Sequence, residues 1–129
     1  MKKEFNKLVR DKVPNIIIGK AYPFKARKCT DDEFPIALGN KLIEESNEIK
    51  EAISKYLASE EDANSEIKKK LLDRIVEELV DLKEVESAIQ KLFYISVDSI
   101  NTVANLKRGS RGSFEDKIFL EWIEYPDDN

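Results

Sequence analysis

The chain has 129 residues, 37% of them charged and 41% hydrophobic, a formal net charge of −4, and only four glycines and four prolines. That balance favours long helices over a sheet, the negative charge argues against a nucleic-acid polymer as partner, and no apolar run is long enough to cross a bilayer. The lone Cys29 has no internal disulfide partner, and the basic start Met1-Lys2-Lys3 is not followed by a signal-peptide core, so a reducing, cytoplasmic setting is expected.

Histidine is absent. A Ser-His-Asp triad, a histidine general base, HExxH zinc chemistry and the ExxH pairs of di-iron bundles are therefore excluded. With one cysteine and no histidine, an intrinsic metal site must be built from oxygen, and oxygen ligands select hard cations such as Mg²⁺, Mn²⁺ or Ca²⁺.

In chain order, Pro14 suits the first turn of a short helix that Gly19 ends. Residues 21–29 read as a basic loop. Thr30-Asp31-Asp32-Glu33 fits a capping box, in which Thr30 and Glu33 satisfy each other's free amides. A first long helix is predicted over 34–57, with Leu38, Leu42, Ile49, Ile53 and Tyr56 at helical spacing. The polar stretch 58–64 forms a turn. A second long helix is predicted over 65–94, carrying Leu71, Ile75, Leu79, Leu82, Ile89 and Phe93 on one face. A third covers 97–108 and ends at Gly109, leaving 109–113 as a loop. The segment 117–125, rich in Ile, Phe and Trp, is expected to be a short strand or an extended packing segment, and 126–129 to fray. The whole, 1–129, reads as one all-α domain with short irregular ends. Val76, Val80 and Ala88 lie off the main stripe of the second long helix, which favours a partner chain and a homodimer or higher oligomer.

Two acidic pairs fall in the wrong place for solvent. At about 100° per residue, Glu45 stands in line with Leu38, Leu42, Ile49 and Tyr56, with Glu48 at the edge of that stripe. On the second long helix Glu78 falls within the apolar face, and Asp81 follows one turn later. An inward charge needs a partner or a metal, and four clustered carboxylates repel one another unless a divalent cation neutralises them. Glu44 and Glu77 read as outer-face residues, Glu44 being also an auxiliary ligand candidate. Glu86 projects onto the apolar stripe without an evident role. Such acidic helix faces are commonly just solvated; what sets these apart is that both pairs drift onto apolar stripes.

Glu44-Glu45-Ser46-Asn47-Glu48, followed one helix later by Glu78-Leu79-Val80-Asp81, resembles the EExxE…ExxD signature of the all-α NTP pyrophosphohydrolases, which include MazG-like enzymes, dimeric dUTPases and phosphoribosyl-ATP pyrophosphohydrolases. The stretch from Asn6 to Pro14 (NKLVRDKVP) is similar to an N-terminal KLVRDKIP block of a MazG-like, house-cleaning branch. That from Lys107 to Phe114 (KRGSRGSF) is similar to its C-terminal KRxxRGGF block, with Ser113 where a second glycine is common.

The resemblance implies a MazG-like helical bundle, usually dimeric or larger. It further implies Mg²⁺-dependent cleavage between the α- and β-phosphates of a nucleoside triphosphate, giving a monophosphate and pyrophosphate, with non-canonical nucleotides as targets. By position, Glu45, Glu48, Glu78 and Asp81 become the Mg²⁺ (or Mn²⁺) ligands and the catalytic set, one of them serving as general base. A polyanionic substrate also needs cations. Lys7, Arg10, Arg108 and Arg111, with Lys107 beside them, are expected to bind the triphosphate, and glycine amides of the 109–113 loop to approach it. Three other readings compete: a non-catalytic helical interaction module whose acidic pairs form salt bridges across a dimer, the same fold acting on a phosphoribosyl-nucleotide or a nucleotide-sugar diphosphate, and a purely structural Ca²⁺ site, which ranks low because no EF-hand loop is present.

Overall fold

The computed structural model describes residues 1–127. Four helices follow in order, α1 (Val13–Gly19), α2 (Glu33–Ala58), α3 (Glu66–Leu92) and α4 (Val97–Arg111), and no strand forms among the described residues. The all-α expectation holds. The chain divides into two compact units, one spanning Met1–Tyr94 and one beginning at Ile95.

The first unit is an antiparallel hairpin of α2 and α3 with the N-terminal segment against it. The start of α2 is set by the predicted capping box. The Glu33 amide donates to Thr30 Oγ1 at 3.1 Å, and the Thr30 amide donates to Glu33 Oε1 at 3.3 Å. Arg27 clamps the same carboxylate through two guanidinium nitrogens, at 2.9 and 2.7 Å. The turn between the long helices is stapled by Lys68. Its ammonium donates to the carbonyls of Tyr56 and Ser59, at 2.7 and 2.9 Å, and lies 4.2 Å from the centroid of the Tyr56 ring. Carbonyls at and just past the end of α2 thus gain a cation that also suits the helix dipole. Ser65 caps α3 by accepting from the Lys68 amide.

Between the helices the seam has heptad spacing. On α2, Leu38, Glu45 and Ala52 are buried; on α3, Glu78 and Val85 are. Burying Leu38 or Val85 stabilises the hairpin by roughly 1.5–3 kcal/mol each. The middle of the seam, however, is occupied by two carboxylates. Leu42, Ile49, Leu71, Ile75, Leu82 and Ile89 flank it half-buried, as their spacing predicts. Ile53, Leu79 and Phe93 do not join it and are exposed. Leu79 is one residue, about 100°, past Glu78. With Glu78 on the seam, Leu79 turns outward. Glu86, one residue past Val85, turns outward for the same reason, contrary to the reading that placed it on the stripe.

The second unit departs further from expectation. Helix α4, capped by Ser96, runs through Gly109 and Ser110 to Arg111 and stops at Gly112, whose φ of 78° lies in the left-handed region. Gly109 inside a helix costs about 1 kcal/mol relative to alanine, and α4 nonetheless continues through it. The segment 117–125 forms neither a strand nor a packed element: Ile118, Phe119, Trp122 and Tyr125 are all exposed. One short strand without a partner has no ladder to join. The fraying expected of 126–129 falls partly on Asp128 and Asn129, which lie outside the described residues.

Candidate functional site

Glu45, Glu48, Glu78 and Asp81 each offer a carboxylate oxygen, and the four oxygens lie within 4.8 Å of one another. Helical spacing explains the meeting. On each helix the second carboxylate follows the first by three residues, on the same face, and the antiparallel register brings the two pairs opposite. Glu45 and Glu78 sit on the seam itself, 4% and 9% exposed. Glu48 and Asp81 are half-exposed at its margin.

Their electrostatics are strained. Burial pushes the Glu45 carboxyl above its ordinary value, and the neighbouring Glu48 adds to the rise. Glu48 is raised chiefly by a hydrogen bond to Glu78 that forms when Glu48 carries a proton, and secondarily by burial. Two buried oxygens, Glu45 Oε2 and Glu78 Oε2, receive no hydrogen bond from any fixed donor. Such atoms are costly in a protein interior.

Cations from the chain answer part of the charge. Lys41, on the inner face of α2, places Nζ 3.1 Å from Glu44 Oε2 and 3.3 Å from Glu45 Oε1. Burial works against its charge, yet the hydrogen bonds to Glu44 and Glu45 win, and its pKa stands above the ordinary value. Lys7 Nζ donates to Glu44 Oε1 at 2.6 Å. Burial alone would raise the Glu44 pKa; the two lysines hold it below ordinary. Glu44, expected mainly on the outer face, is thus a half-buried bridge between Lys7 and Lys41. Glu77 is exposed, as expected. Arg10 Nη2 donates to Asp81 Oδ1 at 2.6 Å, and Arg74 Nε approaches Glu78 Oε1 at 3.5 Å.

The first unit therefore gathers the four carboxylates with two of the five expected phosphate-binding cations, Lys7 and Arg10. Both are seated on carboxylates. Lys107, Arg108 and Arg111 belong to the second unit, exposed on the last turns of α4, where Arg108 Nη1 donates to Asn105 Oδ1. The expected glycine loop is not free: Gly109 is helical, and the Gly112 amide donates to the Arg108 carbonyl at 2.8 Å. Lys41 was not among the expected site residues. Its position four residues before Glu45 on the inner face was the available signal.

Beside the carboxylates opens a cleft of about 760 Å³. Charged residues, among them Arg10, Lys41, Glu45, Asp81 and Glu84, and apolar ones, among them Phe34, Leu38 and Ala88, line it together. The N-terminal segment supplies a third wall through Leu8, Val9 and Val13.

The donor set suits a hard divalent cation. It is all oxygen and anionic, within 4.8 Å, and it includes two buried oxygens with no other partner. Among the described residues, no helix is long and apolar enough to cross a membrane. Compared with protein-family models, curated proteins and solved structures, the chain matches none.

Proposed function

We propose that the protein is a nucleoside triphosphate pyrophosphohydrolase of the all-α, MazG-like kind, which uses Mg²⁺ (Mn²⁺ also serving) to cleave between the α- and β-phosphates and so removes non-canonical nucleotides. The observation that supports this reading best is the pair of unpartnered buried oxygens, Glu45 Oε2 and Glu78 Oε2, within the four-carboxylate cluster. A structural ion pair would place a cation on those atoms. Here the nearby cations contact Glu44, Glu45 Oε1, Glu78 Oε1 and Asp81 instead.

Glu45, Glu48, Glu78 and Asp81 would hold the ion. Bound there, Mg²⁺ supplies an acidified water and neutralises phosphate oxygens. One of the four carboxylates takes the proton as the water oxygen joins phosphorus and the bridging α–β bond breaks, leaving a nucleoside monophosphate and pyrophosphate. Lys7 and Arg10, beside the cluster, exchange their carboxylates for the incoming phosphates. Arg108 and Arg111, with Lys107, are assigned to the polyphosphate on the resemblance alone.

The experiment is pyrophosphate release from canonical and modified triphosphates, with Mg²⁺, Mn²⁺ or EDTA, beside Glu48→Gln and Asp81→Asn. Metal-dependent release that both variants abolish supports the reading. Silence on every nucleotide, with no metal effect on thermal stability, would sink it and favour an interaction module. We further propose that the protein is a homodimer, because Leu72, Val76, Leu79 and Val80 form an exposed apolar stripe on α3 that no other element of the first unit covers.

A further inference from the structure

The segment before α1 is held to the hairpin by very little. Residues 1–12 form no helix or strand, and among the described residues none of their backbone groups hydrogen-bonds to α2 or α3. Apolar contact is slight too: Leu8 is half-buried, while Met1, Phe5 and Val9 are exposed. What fastens the segment is charge. It carries five basic side chains against two acidic ones, and two of the basic ones reach the hairpin. Lys7 Nζ lies 2.6 Å from Glu44 Oε1, and Arg10 Nη2 lies 2.6 Å from Asp81 Oδ1.

The two fastenings end on carboxylates of different standing. Glu44 lies outside the four-carboxylate cluster and is shared with Lys41. Asp81 belongs to the cluster. Lys7, Leu8, Val9, Arg10 and Asp11 also wall one side of the cleft, so that wall is latched through one of the clustered carboxylates. A divalent cation on the cluster would draw on Asp81 and offset part of the negative charge that attracts this basic segment. Glu44 would still hold Lys7. Resting on the pyrophosphohydrolase reading above, we propose that the N-terminal segment is a strap along the cleft that Mg²⁺ unfastens at Arg10, with Lys7 as its fixed point. Unfastening loosens one wall of the cleft and frees the Arg10 guanidinium for an anionic ligand.

Trypsin reports the latch directly, because it cuts only after a Lys or Arg side chain that is free to enter its specificity pocket. Where opening is fast, the cutting rate follows the open population. The full chain is digested briefly in EDTA and in saturating Mg²⁺ at matched ionic strength, and the cuts are followed by mass spectrometry. Lys25, in the exposed loop between α1 and α2, is the reference. Mg²⁺ should speed the cut after Arg10 by about 1.5- to 5-fold over the reference, the range that an exposed ion pair allows. The cut after Lys7 should change less. Asp81→Asn, checked for helicity by circular dichroism, should give the fast Arg10 cut in EDTA and no further response to Mg²⁺. Glu84→Gln, which neutralises a cleft carboxylate that makes no ion pair with Arg10, should respond as wild type does.

Equal acceleration after Lys7 and Arg10 would mean general screening of charge and overturns the proposal, as does an Arg10 cut indifferent to Mg²⁺. Calorimetric titration of Mg²⁺ into the same protein separates that failure from failure of the underlying reading. Bound ion without faster cutting at Arg10 sinks the strap and leaves the metal site standing. No bound ion sinks both. Faster cutting without pyrophosphate release from any nucleotide keeps the strap and refutes the hydrolase.

Discussion

Arg10 Nη2 meets Asp81 Oδ1 at 2.6 Å, so a residue from the segment before α1 holds one of the four clustered carboxylates of the α2–α3 hairpin. The pair is about half-exposed, 53% and 41% for the two side chains. Exposed pairs of this kind are worth about 0.2–1 kcal/mol. On the proposed reading, a divalent cation at the cluster would compete with Arg10 for Asp81. Arg10→Ala should therefore tighten Mn²⁺ binding by roughly 1.5- to 5-fold, the same energy expressed as an affinity ratio. Nucleotide affinity should fall, because the cation released from Asp81 is no longer there to meet phosphate. Isothermal titration with metal and then with nucleotide separates the two effects. Unchanged metal affinity would mean that Arg10 and the ion do not share Asp81.

The carboxylate cluster should weaken the fold in the absence of metal. Glu45 and Glu48 are held above their ordinary pKa, so their charged forms cost more folded than unfolded. A raised carboxylate pKa lowers stability as pH rises above the unfolded value near 4.5 and through the folded one. In EDTA, Glu48→Gln should raise the melting temperature at pH 7 by a few degrees, on the order of 1 kcal/mol for a domain of this size. The ranking should invert with metal present. Wild type should gain about 2.7 kcal/mol at a metal concentration a hundred times its Kd, and the variant little. Thermal melts of both proteins, with and without Mg²⁺, decide this. A variant no more stable than wild type in EDTA would show that the cluster carries no penalty.

Much of this is legible in the sequence alone. The bounds of α2 and α3, the Thr30–Glu33 box and the inward aim of Glu45 and Glu78 follow from local rules: helical period, capping chemistry and the cost of a buried charge. Other features depend on distant partners. Nothing in the N-terminal block announces that Lys7 sits on Glu44 or Arg10 on Asp81, because those contacts join residues on different elements. The cleft escaped for the same reason, since the N-terminal segment forms one of its walls. Gly109 misled because glycine stops a helix only where the backbone adopts a positive φ, and that happens at Gly112.

The exposed stripe on α3 yields a prediction about assembly. Leu72, Val76, Leu79 and Val80 are each about half exposed (49%, 53%, 50% and 54%) and recur at spacings that keep them on one helix face. If two chains pair through this stripe, Val76→Lys places an unpartnered charge at its middle. Removing a central contact commonly costs 2 kcal/mol or more, roughly a thirtyfold loss of dimer affinity. Sedimentation velocity across a concentration series should show the wild type as a dimer and Val76→Lys shifted toward monomer. A monomeric wild type would refute the stripe as a self-association surface.

The cap of α2 supplies a pH signature that is independent of metal. Arg27 donates two hydrogen bonds to Glu33 and the Thr30 amide donates a third, holding the Glu33 carboxyl down to about 2 against an ordinary 4.5. A lowered carboxylate pKa means that the folded state binds protons less readily than the unfolded one. Its stabilising contribution is therefore complete above about 4.5 and is lost as pH falls from there through about 2. Glu33→Gln keeps an acceptor for the Thr30 amide but loses the charge that Arg27 clamps. It should melt below wild type at pH 7, and the gap should narrow between pH 4.5 and 2, closing when Glu33 is protonated in both states. The measurement is a pair of melting curves across that range at fixed ionic strength, with EDTA present so that metal linkage at the cluster does not contribute. A gap that stays constant to pH 2 would mean that the side chain acts through shape and hydrogen bonding alone, and that the Arg27 clamp contributes no charge-dependent stability to the start of α2.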